Sequence, residues 1–346
     1  MTATNMRNLR PIVCAAALYL GLSTPILAQQ SVADFYTGKT IKVIVGFGPG
    51  GGYDTYARLA ARHLGRHVPG KPALVVQNMP GGGGMSAANH LFHIAPKDGT
   101  AIGALHTNIS FNQVIGDKNV KYDVRRFTSM GRMSGTIDVH YASAASGVKS
   151  FAELRQREVV VAGTGPGNNS VVYPRVLNAL MGTKLKILSG FKGTTAANLA
   201  LERGEADMVL KPWEAIKSGN ADWLRDGKIN LILQYSMERA AELKNVPAVI
   251  EFAETDEQRQ ILQLLVGSAD IGRSLTLPPD IPKARVEALQ AAFMDMSKDP
   301  VMLADAKKQR LDVEPLHGQN VQKLVEQTFA IPPAIVAKLK AIVLQN

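Results

Sequence analysis

Short apolar stretches alternate with amphipathic ones along most of the chain. Residues 39–45, Lys-Thr-Ile-Lys-Val-Ile-Val, form a β-branched run that reads as a buried strand. A glycine-rich loop follows, Gly46-Phe47-Gly48-Pro49-Gly50-Gly51-Gly52. From about Asp54, Tyr56, Leu59, Ala60, His63 and Leu64 recur at helical spacing, while Arg58, Arg62 and Arg66 occupy another face. Val68-Pro69-Gly70 stops that helix. Leu74 to Gln77 reads as a second strand, which runs into a second glycine loop, Pro80 to Gly84. Another helix and strand follow, the strand ending near Leu105-His106-Thr107-Asn108. This strand–helix rhythm predicts a mostly parallel sheet with helices on both faces.

The pattern then restarts. Val159 to Ala162 is a strand, Gly163-Thr164-Gly165-Pro166-Gly167-Asn168-Asn169-Ser170 a loop, and a helix through Tyr173, Arg175 and Leu177 ends near Gly182. Gly46-Phe47-Gly48-Pro49-Gly50 matches Gly163-Thr164-Gly165-Pro166-Gly167, and Tyr56 and Arg58 match Tyr173 and Arg175 at the same offset. Leu185 to Leu188 is the second strand of the later unit, followed by Phe191-Lys192-Gly193. A recurring strand–loop–helix–strand order predicts two lobes of like design.

The N-terminus changes the picture of where the chain works. Arg7 and Arg10 precede an apolar run, Ile12 to Leu22, then Ser23-Thr24-Pro25 and Ile26-Leu27-Ala28. A basic start, a short apolar core and a small residue predict a signal peptide over residues 1–28. The apolar run is too short to span a bilayer. Cys14, the only cysteine, lies inside it, so the exported chain has no disulfide and no thiolate chemistry. Without Arg7 and Arg10 the formal net charge falls from +10 to +8. The basic residues are dispersed, with no aromatic-interleaved stripe, so nucleic acid is not expected as a partner. A diffuse field that recruits anions and simple solubility account for the excess equally well. The length left after cleavage exceeds what one core usually holds, which favours two domains.

Glycine lets the backbone approach a ligand closely, and the N–H groups of a following helix start suit a carboxylate or phosphate. In open α/β sheets ligands bind beyond the carboxyl ends of the strands. Gly46 to Gly52, Gly81 to Gly84, Thr107, Asn108 and Gly163 to Ser170 all fall at such ends. The alternative is that these glycines only make tight turns. Asp54, at its helix start, is an N-cap, an acceptor for a ligand donor, or both. The run Gly46-x-Gly48-x-x-Gly51 formally matches a dinucleotide fingerprint, but Pro49 removes a donor and Gln77-Asn78 lacks the acidic residue a ribose needs. No nucleophile elbow or nucleophile–base pair is visible, so no catalytic residue is assigned. His63 and His67 read as a helix face, because Leu64 stands where a metalloprotease has Glu, and no metal site or cofactor is expected. Trp213, in Lys211-Pro212-Trp213-Glu214, either covers a ligand or packs in the core.

These residues carry a resemblance. Phe47-Gly48-Pro49-Gly50-Gly51-Gly52-Tyr53-Asp54 and Asn78-Met79-Pro80-Gly81-Gly82-Gly83-Gly84 resemble the two glycine loops of the Bug/TctC family, the receptors of tripartite tricarboxylate transporters. Ala95-Pro96-Lys97-Asp98-Gly99, Phe191-Lys192-Gly193, Gly204-Glu205-Ala206-Asp207 and Lys298-Asp299-Pro300 resemble further family motifs, in order along nearly the whole exported chain. Gly48 stands where many members have Pro, and one extra glycine precedes Tyr53.

The resemblance implies a type II periplasmic-binding-protein fold, with two doubly wound α/β lobes around a ligand cleft that closes like a clamshell. Lobe 1 would be residues 32–137 plus 235–346, and lobe 2 residues 138–234. It carries over Phe47, Gly48, Pro49, Gly50, Gly51, Gly52, Tyr53, Asp54, Gly83, Thr107, Thr164, Gly165, Asn168, Asn169, Ser170 and Lys192 as ligand-binding candidates, with Asn108 added from its strand end. The expected ligand is a di- or tricarboxylate, an amino acid or an aromatic acid. The expected partners are membrane permease subunits, to which a periplasmic monomer delivers that ligand. A sensory role for a regulator, a receptor for an ABC importer, and a secreted enzyme are the other readings.

Overall fold

The computed structural model describes residues 1–2, 31–330 and 332–344. The segment read as a signal peptide lies outside these, apart from its first two residues. Among the described residues no helix is long and apolar enough to cross a membrane.

Among the described residues eleven strands form two sheets: β1 Thr40–Val45, β2 Ala73–Asn78, β3 Ala101–Ala104, β4 Thr128–Arg132, β5 Asp138–Ser143, β6 Val159–Gly163, β7 Leu185–Ser189, β8 Met208–Pro212, β9 Ile229–Tyr235, β10 Ser274–Leu277 and β11 Leu316–His317. The first sheet runs β11-β4-β10-β3-β1-β2 and the second β7-β6-β8-β5-β9. β1 pairs in parallel with β2 and β3, and β6 with β7 and β8. The strand–helix repeats read from the sequence therefore make the parallel half of each sheet. The expectation of mostly parallel sheets fails for the other half. β10 runs antiparallel to β3 and β4, β11 to β4, and β5 to β8 and β9. The reason lies in the connections. β5 arrives straight from the other sheet, with no crossover helix, so the rule that makes consecutive strands parallel does not apply to it.

The two sheets share one arrangement. β2-β1-β3-β10 in the first corresponds to β7-β6-β8-β5 in the second, with the last strand antiparallel in both. Each sheet buries apolar side chains on both faces, and the interior strands β3, Ala-Ile-Gly-Ala, and β6, Val-Val-Val-Ala-Gly, are continuous apolar runs. In the first sheet one face packs Ile41, Val43 and Val45 against Leu59 of the Gly52–His63 helix and Phe293 of the Lys283–Lys298 helix. The other face packs Ile44 against Leu91 of the Met85–His93 helix. In the second sheet Val159 and Val161 meet Val176 of the Asn169–Met181 helix, while Ala162 and Val209 meet Leu201 on the opposite face. The helices Asp256–Gly267 and Pro333–Val343 come from the returning chain, yet Leu262 and Leu339 join this second core. An Arg175 Nη1 donation to the Val343 carbonyl fastens the last helix there.

Candidate functional site

The carboxyl ends of the parallel strands face one another across a cleft, and the loops that leave them touch. The Gly48 N–H donates to the Lys192 carbonyl at 2.9 Å. Thr195 Oγ1 donates to the Pro49 carbonyl at 3.3 Å, and Asn112 Nδ2 to the Gly167 carbonyl at 3.0 Å. Asn168 Nδ2 lies 3.0 Å from His106 Nε2. Gly83, with φ +68°, meets the 165–168 loop so closely that a Cβ on Gly165 would stand 2.5 Å from its nitrogen. Both positions need glycine for that approach. The cleft is shut.

Behind this seal lies a cavity of about 50 Å³. Its wall includes the first residues of three helices, namely Gly52–His63, Asn169–Met181 and Thr194–Glu202. First-turn N–H groups have no partner within their own helix and carry positive partial charge, so three such starts suit an anion. Tyr53 accepts from the Thr107 N–H at 3.1 Å and stacks on Phe47 with ring centroids 5.2 Å apart, which forms the aromatic side of the wall.

Arg273, immediately before β10, supplies the wall's cation. It is 2% exposed, and its guanidinium lies 4.2 Å from the Tyr53 ring centre. Nε donates to Glu214 Oε1 at 2.8 Å, Nη2 donates to the same oxygen, and Nη2 reaches Thr136 Oγ1 at 3.3 Å. Nη1 is buried and has no protein partner among the described residues. Burial opposes its charge, but Glu214 and Tyr53 hold its pKa above the usual value. His106 is pushed down to about 3 by burial and by Arg273, so its imidazole is neutral. Asp138, at the start of β5, lines the cavity and accepts from Asn169 Nδ2 at 2.6 Å. Burial pushes Asp138 up to about 6 against the pull of Asn169 and Arg273, with Glu214 adding to the rise.

Of the residues singled out from sequence, Phe47, Gly51, Gly52, Tyr53, Thr107, Thr164, Asn168 and Asn169 line the cavity. Gly48, Pro49 and Lys192 form the seal, Lys192 through its backbone carbonyl rather than its ammonium. Gly50 faces Thr195 across the same seam. Gly83 and Gly165 abut each other. Ser170 Oγ accepts from the Thr164 N–H at 2.9 Å and donates to Asn168 Oδ1 at 2.7 Å, bracing that loop from behind. Asn108 stands at the N-cap position of the Ile109–Val114 helix without a side-chain capping bond, and its N–H donates to His106 Nδ1 at 3.0 Å.

Asp54 lies off the cavity wall. Its carboxylate accepts from the Gly50 N–H at 2.9 Å, Arg58 Nε at 2.8 Å and Asn78 Nδ2 at 2.8 Å, while Asn78 Nδ2 also donates to the Phe47 carbonyl. Burial works against its charge, yet these three donors keep its pKa below the usual carboxylate value. Asp54 is thus a clamp that ties the first glycine loop to the end of β2. Asp54→Ala leaves those donors without their acceptor, at a cost of about 1–3 kcal/mol. We expect a lower melting temperature with the fold retained, and weaker ligand binding as the loop slackens. Unchanged melting and unchanged affinity in a calorimetric titration would show that Asp54 clamps nothing.

Sequence reasoning missed Arg273, Glu214, Asp138, Thr136 and Thr194. Arg273 gave little local signal, because the strand after it, Ser-Leu-Thr-Leu, is half polar and only the fold buries it. Trp213 is not on the wall. Its Nε1 donates to Glu242, and it borders a surface groove with Lys217. His63 and His67 pair with Asp305 at 2.7 Å and Asp299 at 2.9 Å, and no group of three metal-ligating side chains occurs among the described residues.

Two α/β lobes of one topology, meeting over a small cavity, form the architecture of the periplasmic binding proteins. The family model described as the tripartite tricarboxylate transporter family receptor, TctC, matches residues 57–341. This chain belongs to that family, whose members are receptors rather than enzymes. A Cupriavidus necator protein named for its place in the gbd 5' region is 24% identical over 344 residues, covering 94% of this chain and 95% of its own. Among solved structures, the periplasmic binding protein BugD superposes with a TM-score of 0.72 at 19% identity, covering 89% of this chain and 99% of its own. MatC from Rhodopseudomonas palustris, with bound malate, gives 0.69 at 21% identity over 88% of this chain and 99% of its own. A second R. palustris protein, with adipate, gives 0.69 at 19% over 88% and 98%.

Proposed function

We propose that this protein is a periplasmic receptor that captures a small carboxylate by closing its two lobes and hands it to the membrane permease of a tripartite transporter. The observation that carries this reading is the convergence on one cavity of three helix starts and Arg273, whose Nη1 has no protein partner among the described residues. The malate and adipate bound by two structural neighbours support the same ligand chemistry. Residues 1–28 would direct export and then be removed. Residues 32–137 and 235–346 would form one lobe and 138–234 the other, with the helices Asp256–Gly267 and Pro333–Val343 riding on the second. The receptor would act as a monomer.

The mechanism follows from where the contacts lie. The cavity wall draws on both sheets, so only the shut form offers a ligand its full set of partners. A ligand with that differential affinity shifts the open–shut equilibrium toward closure. Lys192 and Gly48 then act as latch residues, and Phe47, Tyr53, Thr107, Thr164, Asn168 and Asn169 as contacts. A thermal-shift screen of carboxylic acids tests this reading. A true ligand at about a hundred times its dissociation constant should add roughly 2.7 kcal/mol of stability. Stabilisation by sugars or cations, with none by any carboxylate, would overturn it.

A further inference from the structure

The cavity wall carries two chemically different kinds of group. Donors are the helix starts at Gly52, Asn169 and Thr194, and Arg273, whose Nη1 is buried without a protein partner among the described residues. Acceptors are Asp138 and Asn169, hydrogen-bonded to each other and 5% and 3% exposed. Because Asn169 Nδ2 is turned to the Asp138 carboxylate at 2.6 Å, its Oδ1 is left as a second acceptor, buried and without a protein partner among the described residues. Charge is uneven in the same sense. Arg273 is already balanced by Glu214. Asp138 forms no ion pair among the described residues, and the side chain that donates to it is a neutral amide.

We infer that Asp138 and Asn169 select a ligand bearing an ammonium group beside its carboxylate, so that the solute is an amino acid rather than a plain di- or tricarboxylate. This inference rests on the proposed carboxylate receptor and narrows it. A second carboxylate placed beside Asp138 and Asn169 would meet two acceptors and a like charge, and like charges in a low-dielectric site repel strongly. A hydroxyl offers one donor to two acceptors. An ammonium offers three N–H donors and the charge that Asp138 lacks, through charge-assisted bonds of about twice the neutral strength. The zwitterion then meets both kinds of group, its carboxylate at the helix starts and its ammonium at Asp138. Leu210 and Pro212, also on the wall, offer apolar surface to the rest of the ligand.

The test uses matched triplets on one carbon skeleton: alanine, lactate and propionate; aspartate, malate and succinate; phenylalanine, phenyllactate and phenylpropionate. Each is titrated calorimetrically into the exported protein and into Asp138→Asn. In at least one triplet the amino acid should bind the wild type about tenfold or more tighter than the plain acid, with the hydroxy acid between. In Asp138→Asn the amino acid should lose about tenfold or more, while the plain acid stays within about threefold or gains. If plain or hydroxy acids bind best, or if Asp138→Asn leaves the ranking unchanged, the assignment of Asp138 is overturned and the carboxylate receptor stands. If no member of any triplet binds the wild type, both readings fall together. The wild-type ranking decides the matter even if the variant does not fold.

Discussion

Arg273→Met is expected to destabilise the protein by about 3–5 kcal/mol, the largest effect of any single change in the cavity wall. The guanidinium and the Glu214 carboxylate are 1% and 5% exposed as side chains, so neither has water to fall back on. Removing the cation strands a buried carboxylate, and the cost of that charge far exceeds the packing lost with the side chain. Methionine keeps most of the length and volume, which separates the electrostatic loss from a cavity. Adding Glu214→Leu should recover most of the stability, because a buried ion pair replaced as a unit by apolar groups is often close to neutral. Thermal unfolding of the two single variants and the double variant gives the coupling directly. A cost below about 1 kcal/mol for Arg273→Met, or a double variant no better than the single, would show that the pair does not hold this region together. The double variant should still lose ligand affinity, since the guanidinium of Arg273 is gone from the cavity wall.

Gly165→Val is expected to abolish closure while leaving each lobe intact. A Cβ there would stand 2.5 Å from Gly83 N and 3.1 Å from Gly83 Cα, both backbone atoms that cannot swing aside. Gly165 is not among the positive-φ glycines, so its own backbone accepts a larger residue without strain. The clash arises only when the 165–168 loop after β6 meets the 81–84 loop after β2. A penalty of about 3 kcal/mol on the shut form alone lowers apparent affinity by more than about a hundredfold. The melting temperature without ligand should fall by no more than a few degrees, because the bulk of each core is untouched. Wild-type affinity in Gly165→Val, or loss of the fold, would contradict closure as the source of binding. Gly48→Ala gives a milder form of the same test, since its Cβ would lie 3.0 Å from the Lys192 carbonyl.

The loops were legible in the sequence because glycine and proline announce them locally. Gly46 to Gly50 and Gly163 to Gly167 leave β1 and β6, which occupy corresponding places in the two sheets, so the repeated unit marked real topology. Tyr56 and Tyr173 are both buried, as a shared helix face requires. Their companions diverge: Arg58 pairs with Asp54, whereas Arg175 holds the last helix. The antiparallel strands were not legible, because local periodicity carries no information about which distant strand a segment joins. The ion pair shows the same limit. Glu214 is the direct neighbour of Trp213, and only the fold brings it to Arg273, 59 positions away. Asp54 illustrates the opposite error. An acidic residue at a helix start beside a glycine loop invites a ligand role, yet here the surrounding donors consume it.

Asp138 changes what the cleft is expected to hold. A cavity built only of helix starts would take any small anion, whereas the Asp138–Asn169 pair of acceptors adds a requirement on the rest of the ligand. Selectivity of this kind arises from leaving the wrong ligand with unpaired buried groups rather than from extra attraction to the right one.

If a small carboxylate closes the two lobes on each other, the distance between them must respond to it. Val75 on β2 and Leu188 on β7 are 47% and 44% exposed, one on each sheet. Spin labels on Val75→Cys and Leu188→Cys in a chain shortened to residues 29–346, and so without Cys14, report that distance without touching the cavity. With the amino and carboxylic acids of the matched triplets added in turn, at least one should draw a broad distribution into a single narrow peak at the shut separation. A distribution that no carboxylate changes would contradict ligand-driven closure.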